Sequence, residues 1–310
     1  MEHTMNERMY ATTNAAYNDA FWNAMRGKTT SLSDLEGGRD SQTGTYSPPL
    51  KTASSFSGAL KEQSLFRRIG TVMPKTAHDS KIWLSDNENL PQWIPEGDAL
   101  PSTEDNAFPR KDVFAHKLAI ITSIDMDFVS DLGFDLESYL IRQFSRRFGK
   151  AEEDAFINGT GASMPKGILH DTDGAETSVT VTGNITFDDV VSLYFSVDKR
   201  YRGNGAWLMN DHTAMTLKTL KDQNGQYLWN QNSDTILGKP IHLSEYMPSD
   251  GKLIAFGDFS YFTIIDRMPL SIRPLYELHA LGNKMGFLGI ERLDGMLIRP
   301  EAVKVLSVSR

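Results

Sequence analysis

The chain has 310 residues, with 40% hydrophobic and 23% charged side chains and a formal net charge of −8. This is the make-up of a globular protein long enough to bury a sizeable core, and the acidic balance argues against nucleic-acid binding through a broad basic surface. It has no cysteine, which excludes disulfides, thiolate metal sites and a cysteine nucleophile. No apolar run reaches the roughly 18–20 residues that span a bilayer, and the opening MEHTMNERMY lacks signal-peptide features. The expectation is a protein made and used without export, with no membrane partner.

The first predicted element is a short amphipathic stretch with Tyr17, Ala20, Phe21, Ala24 and Met25 on one face, closed by Gly27. From Lys28 to Ser57 the chain turns to Gly, Ser, Thr and Asp. It reads either as a tail without structure or as an arm that orders only against neighbouring subunits.

Lys81–Ser85 and Phe114–Asp125 read as strands, the second with Phe114, Leu118, Ile120 and Ile124 on one side. The chain between them carries Pro91, Pro95, Pro101 and Pro109, and from Asp86 to Asp105 its charged residues are all acidic. A loop of this length inside a compact domain is uncommon and usually functional or disordered. Trp93 and Ile94 in its middle argue for a projecting hairpin that docks on another subunit.

Asp131–Leu169 is the strongest pattern. Leu136, Tyr139, Leu140, Phe144, Phe148, Ala151 and Ala155 make one stripe, Asp135 can cap the start, and Gly159 reads as a left-handed stop. A helix over 135–158 is a rod of ~36 Å. Arg142, Arg146, Arg147 and Lys150 flank it, and Glu152, Glu153 and Asp154 crowd its last turns, where the dipole disfavours anions. These charges read either as a solvated face with internal i, i+4 pairs or, with the acidic loop, as pairing with basic groups on adjacent subunits.

Beyond Gly183 the pattern is mixed. Thr186–Asp189 resembles a capping box and opens a helix with Val190, Leu193, Tyr194, Val197 and Tyr201 on its core face. Ala206–Met209 is a short buried strand, and Asn210 or Asp211 caps a helix carrying Met215, Leu217 and Leu220. After a tight turn at Asn224-Gly225, strands are expected at 241–244, 253–256, 261–266, 271–276, 287–292 and 303–308.

The chain carries seven histidines, with no pair at metal-ligand helical spacing. Asp125-Met-Asp127 reads as a solvated strand end, and Gly159-Thr-Gly161 lacks the third glycine of a dinucleotide loop and the Lys-Ser/Thr of a phosphate loop. No serine sits in a nucleophile elbow. The expectation is no catalytic, cofactor or metal site, hence no enzyme.

Three groups of residues then carry a resemblance. They are Ala151–Gly159 with Met164-Pro-Lys-Gly-Ile-Leu169; Trp207–Asn210 followed by Leu220–Trp229 and Leu237–Pro240; and Ile254–Phe259 leading to Ile264–Arg267. In this order and spacing, from about Thr52 to Arg310, the chain resembles the major capsid proteins of tailed double-stranded-DNA bacteriophages, the HK97-type fold. The resemblance implies an α+β chain with an N-terminal arm (1–50), a peripheral domain (51–72 and 118–180) with a spine helix (135–158), and an extended loop (73–117). It further implies an axial domain (181–266), peripheral strands (267–295) and a C-terminal strand (296–310).

The implied function is a structural shell, built from hexamers and pentamers of the chain itself in the bacterial host cytoplasm. It would enclose double-stranded DNA without sequence specificity and become the virion capsid. A separate scaffold protein, a portal and a maturation protease are the implied partners. The assembly contacts expected on this reading are Trp93, Ile94, Glu96, Asp98, Arg142, Arg146, Arg147, Glu152 and Glu153. Lys81, Lys111 and Lys117 lie in or beside the loop but not clearly at its tip, so the Lys–Asn crosslink of some members is not expected. An encapsulin-type shell around protein cargo and a soluble α/β enzyme are the competing readings.

Overall fold

The structure, a computed structural model, describes residues 12–28, 32–40, 44–74, 81–83, 93–95, 110–221, 224–229 and 234–309. Its strands in chain order are β1 (Thr71–Pro74), β2 (Lys81–Trp83), β3 (Arg110–Asp112), β4 (His116–Asp125), β5 (Glu176–Thr182) and β6 (Ala206–Met209), then β7 (Thr235–Ile236), β8 (Lys239–Leu243), β9 (Gly251–Gly257), β10 (Phe262–Leu275), β11 (Lys284–Leu297) and β12 (Val303–Ser309). They form a four-stranded sheet in the order β1-β10-β11-β4, a six-stranded sheet in the order β5-β12-β9-β6-β8-β7, and the small pair β2-β3.

The long helix runs Leu136–Asn158, and Asp135 caps it as expected by accepting from the Ser138 N–H at 3.0 Å. It packs along one face of the four-stranded sheet. Gly289 and Gly295 of β11 lie under it, where an added Cβ would come within 2.9 Å of the Phe144 ring and 2.8 Å of the Phe156 ring. Those glycines are sockets for the two phenylalanines, letting helix and sheet approach closely. Leu136, Leu140, Phe144 and Phe148 share one core with Leu270, Ile272, Met285 and Phe287 of the sheet. Each such side chain, once removed from water, contributes about 1.5–3 kcal/mol.

Near its end the helix departs from the expected stripe. Ala151 and Ala155 are only half-buried, whereas Glu152, Phe156 and Ile157 are buried. Gly159 is not a left-handed stop: its φ of −61° and ψ of 139° are extended. It is needed because a Cβ there would lie 2.0 Å from Pro165 O and 2.3 Å from Ala155 O. The close approach lets the returning chain cap the helix, with Ile168 N–H donating to Phe156 O (2.8 Å), Leu169 N–H to Ile157 O (3.0 Å) and Gly167 N–H to Gly159 O (2.9 Å). The carbonyls orphaned at the helix end are thus satisfied by backbone.

The N-terminal segment is not simply an arm without core. Its helix Ala15–Met25 buries the five expected residues, and Tyr17, Phe21 and Met25 join the core under the long helix. The helix Leu50–Gln63, which lies partly in the stretch expected to be flexible, adds Phe56 and Leu60, with Phe56 edge-on to Phe148 at 6.3 Å.

Two further cores lie beyond. Around Phe66, Phe156 and Phe262, whose rings stand 4.9–5.9 Å apart, the long helix meets the six-stranded sheet through Ile168, Leu208, Val303 and Val305. On the other face of that sheet, Trp207 and Phe256 pack at 4.2 Å with Val190, Leu193 and Leu306. The capping box at Thr186 and Asp189 is present, but its helix ends at Ser196 and restarts at Lys199, with Asp198 as a new cap. The Asn210-capped helix Asp211–Lys218 buries Leu217 and leaves Met215 exposed. The C-terminal strand β12 is no appendage: it pairs with β5 on one side and β9 on the other.

Candidate assembly interface

The two ends of the expected loop are paired. β2 and β3 pair antiparallel through Lys81↔Asp112, Ile82↔Lys111 and Trp83↔Arg110, as a hairpin requires. The hairpin is tied to the four-stranded sheet by Lys111 Nζ, which donates to Leu297 O at 2.9 Å, and by the Phe114 N–H, which donates to Asp294 Oδ2 at 2.6 Å. Burial pulls the Lys111 amine below its ordinary pKa and pushes the Asp294 carboxyl above its own. Phe114 was expected to share one side of the strand with Leu118, Ile120 and Ile124, but it precedes β4 and is exposed.

Between β2 and β3 in sequence, Trp93 is 103% exposed and Ile94 is half-buried. Glu96 and Asp98 lie outside the described residues. Trp93 therefore has no cover within the described chain, although exposed aromatics ordinarily find a surface.

Along the long helix the expected contacts divide. Arg142 and Arg146 are exposed, Arg142 close enough to Asp135 to help hold its carboxyl low. Arg147 is also exposed and donates to Thr122 Oγ1 at 3.0 Å. Glu152 has to be corrected: it is 1% exposed and gripped by Arg67 of the same chain, so a neighbour cannot reach it. Glu153 accepts from the Ser244 hydroxyl at 2.5 Å and the Leu65 N–H at 3.4 Å, and Asp154 accepts from Asn158 Nδ2 at 2.9 Å. The acidic end of the helix thus has partners within its own chain.

Sequence reasoning missed exposed apolar residues on the segments that flank one end of the four-stranded sheet, where Lys284 pairs with Asp125. On those segments Phe128 is 53% exposed, Leu132 75%, Leu278 56% and Leu281 108%. The signal was the placement of Leu278 and Leu281 in the turn between two long strands, where an apolar residue has no inward face. Among the described residues no group of His, Asp or Glu is arranged to hold a metal ion, and no helix is long and apolar enough to cross a membrane.

The described chain thus combines a long helix on a four-stranded sheet, a separate six-stranded sheet and the small pair β2-β3. The family model described as "Phage capsid family" matches residues 44–308. The chain belongs to the phage capsid family. Among solved structures, this capsid protein is similar to the "Capsid of empty GTA particle computed with C5 symmetry", at 26% identity and TM-score 0.69 over 80% of this chain and 90% of that one. The "Capsid of native GTA particle computed with C5 symmetry" is also 26% identical, with TM-score 0.66 over 91% and 99%. A structure from Gordonia phage Cozz shares the fold at 14% identity, with TM-score 0.60 over 80% and 87%. No curated protein matches. The expected HK97-type α+β fold is borne out, and the chain is a phage capsid shell protein.

Proposed function

We propose that this capsid protein assembles through hexamers and pentamers into an icosahedral shell enclosing double-stranded DNA. On this reading it assembles in the host cytoplasm with a separate scaffold, a portal and a maturation protease. The observation that carries the proposal is Trp93, 103% exposed in the sequence between β2 and β3, a strand pair anchored to the sheet. An indole this exposed suits a second copy with an apolar seat for it. Exposed Leu132 and Leu281 at the far end of the sheet support the same reading. Within the subunit, the long helix with the four-stranded sheet would be the peripheral domain, and the six-stranded sheet, with β5 and β12 included, the axial one. The net charge of −8 suits holding DNA by enclosure, with few and sequence-independent direct contacts.

The test is to purify particles from cells producing the chain with its genomic neighbours, treat them with nuclease and image them. Closed shells with five- and six-fold capsomers and nuclease-protected double-stranded DNA are expected. Shells filled with protein and free of nucleic acid would favour a nanocompartment, and a chain that stays monomeric would sink both.

A further inference from the structure

The junction of the long helix with the four-stranded sheet encloses more acid than base. Four side chains converge there: Glu152 from the long helix, Arg67 from the short helix Phe66–Ile69, Asp266 from β10 and Glu291 from β11. Arg67 is 9% exposed, Glu152 1% and Glu291 4%. The Arg67 guanidinium donates to both oxygens of Glu152, from Nε at 2.7 Å and Nη2 at 2.5 Å, and to both oxygens of Asp266, from Nη1 at 3.0 Å and Nη2 at 2.9 Å.

Glu291 is left out of that arrangement. Its Oε1 is buried without a hydrogen-bond donor among the described residues, and its carboxyl lies within hydrogen-bonding reach of Glu152. β4 places the apolar Leu118 opposite it across the ladder. The charged groups facing Glu291 are Glu152, Arg67 and Asp266, two carboxyl groups and one guanidinium, and none of them donates to its Oε1. Two ionised carboxylates are acceptors only; a proton on one of them turns the contact into an O–H···O bond.

We propose that Glu152 and Glu291 hold one proton between them at neutral pH, and that its loss to alkaline solvent loosens the long helix from β11. The junction is then a proton-dependent latch inside each subunit. Burial raises the Glu291 carboxyl well above the ordinary carboxylate range, and the Glu152 charge adds to the effect. Burial also raises Glu152, against the opposing pull of Arg67. A carboxyl whose pKa is higher in the folded chain than in the unfolded one binds more protons when folded. Its stabilisation is full below the ordinary carboxylate value and is lost as pH rises through the raised one.

The test uses the full chain with carbon-13-labelled glutamate, which separates its infrared carboxyl band from that of aspartate. It applies to free subunits or to shells, so its outcome is independent of the shell reading. The expected result is a protonated-glutamate band that persists at about pH 6–7 and disappears on alkaline titration as the melting temperature falls. In Glu291→Gln the band at that pH is lost, and melting temperature no longer declines across the same alkaline range. Absence of the band in the folded wild-type chain at about pH 6–7 would overturn the proposal. So would a Glu291→Gln chain whose melting temperature keeps the wild-type pH dependence. If that variant fails to fold, the wild-type titration decides alone.

Discussion

Arg67 and Glu152 close a two-pronged ion pair across 85 positions of sequence, Nε to Oε2 at 2.7 Å and Nη2 to Oε1 at 2.5 Å. With both partners buried, the pair fixes where the long helix sits relative to the chain entering the four-stranded sheet. Removing one partner strands a buried charge, which is far costlier than losing an exposed ion pair. Arg67→Ala should therefore lower unfolding free energy by about 3–5 kcal/mol, read as a shift in denaturant midpoint at constant slope. Arg67→Lys should recover only part of this, since an ammonium cannot span both carboxylate oxygens. A loss near zero for Arg67→Ala would show that the pair does not hold the junction.

The glycine socket under the helix gives a second expectation. A Cβ at position 289 would lie 2.9 Å from the Phe144 ring, so Gly289→Ala should cost about 1–3 kcal/mol through overpacking. Combining it with Phe144→Leu should return part of that loss. A double-mutant cycle with no coupling between the two would rule out the socket.

The N-terminal helix offers a test of whether the first segment belongs to its own subunit. Phe21 is fully buried in the core beneath the long helix. Phe21→Ala should destabilise the unassembled chain by about 3–5 kcal/mol. An arm that orders only in a shell would leave the free subunit unaffected.

Asp135 supplies a pH dependence of opposite sign to that of the buried latch. The Ser138 hydrogen bonds hold its exposed carboxyl below the ordinary range. Its contribution is therefore present above the unfolded-state value and lost as pH falls through the folded one. Asp135→Ala should cost ~1 kcal/mol at neutral pH and progressively less under acid. A cost that did not change with pH would mean the carboxylate is not what caps the helix.

Exposed Arg146 and Arg147 bear on assembly rather than folding. Reversing both to Glu should abolish particle formation while the circular dichroism of the free subunit stays unchanged. Normal shells from that variant would remove these arginines from the interface.

Much of this was legible along the chain because it is local. The Asp135 cap, the stripe from Leu136 to Phe148 and the capping box at Thr186 all depend on neighbours within a few residues. Glu152 was not legible: in a row of three acids it reads as solvated, and its partner Arg67 is brought to it only by the tertiary fold. Gly159 was found as a helix end but misread as left-handed, since the chain returning at Pro165 is what excludes a side chain there. β1 and β5 escaped notice because each is a short strand held by parallel pairing to a distant one, β10 and β12 respectively. Of the expected contacts, Trp93 and the helix arginines stand at the surface. The apolar end at Leu132 and Leu281 was missed because single leucines in polar turns carry no periodicity.

The central claim is that surfaces left open on one subunit are covered by further copies of itself. Hydroxyl-radical footprinting, read by mass spectrometry on free subunits and on assembled particles, tests it at single residues. The account predicts that Trp93, Leu132 and Leu281 react readily in the free subunit and are protected in particles, while Trp207 and Phe144, buried in both, change little. Equal oxidation of Trp93 and Leu281 in the two states would contradict it.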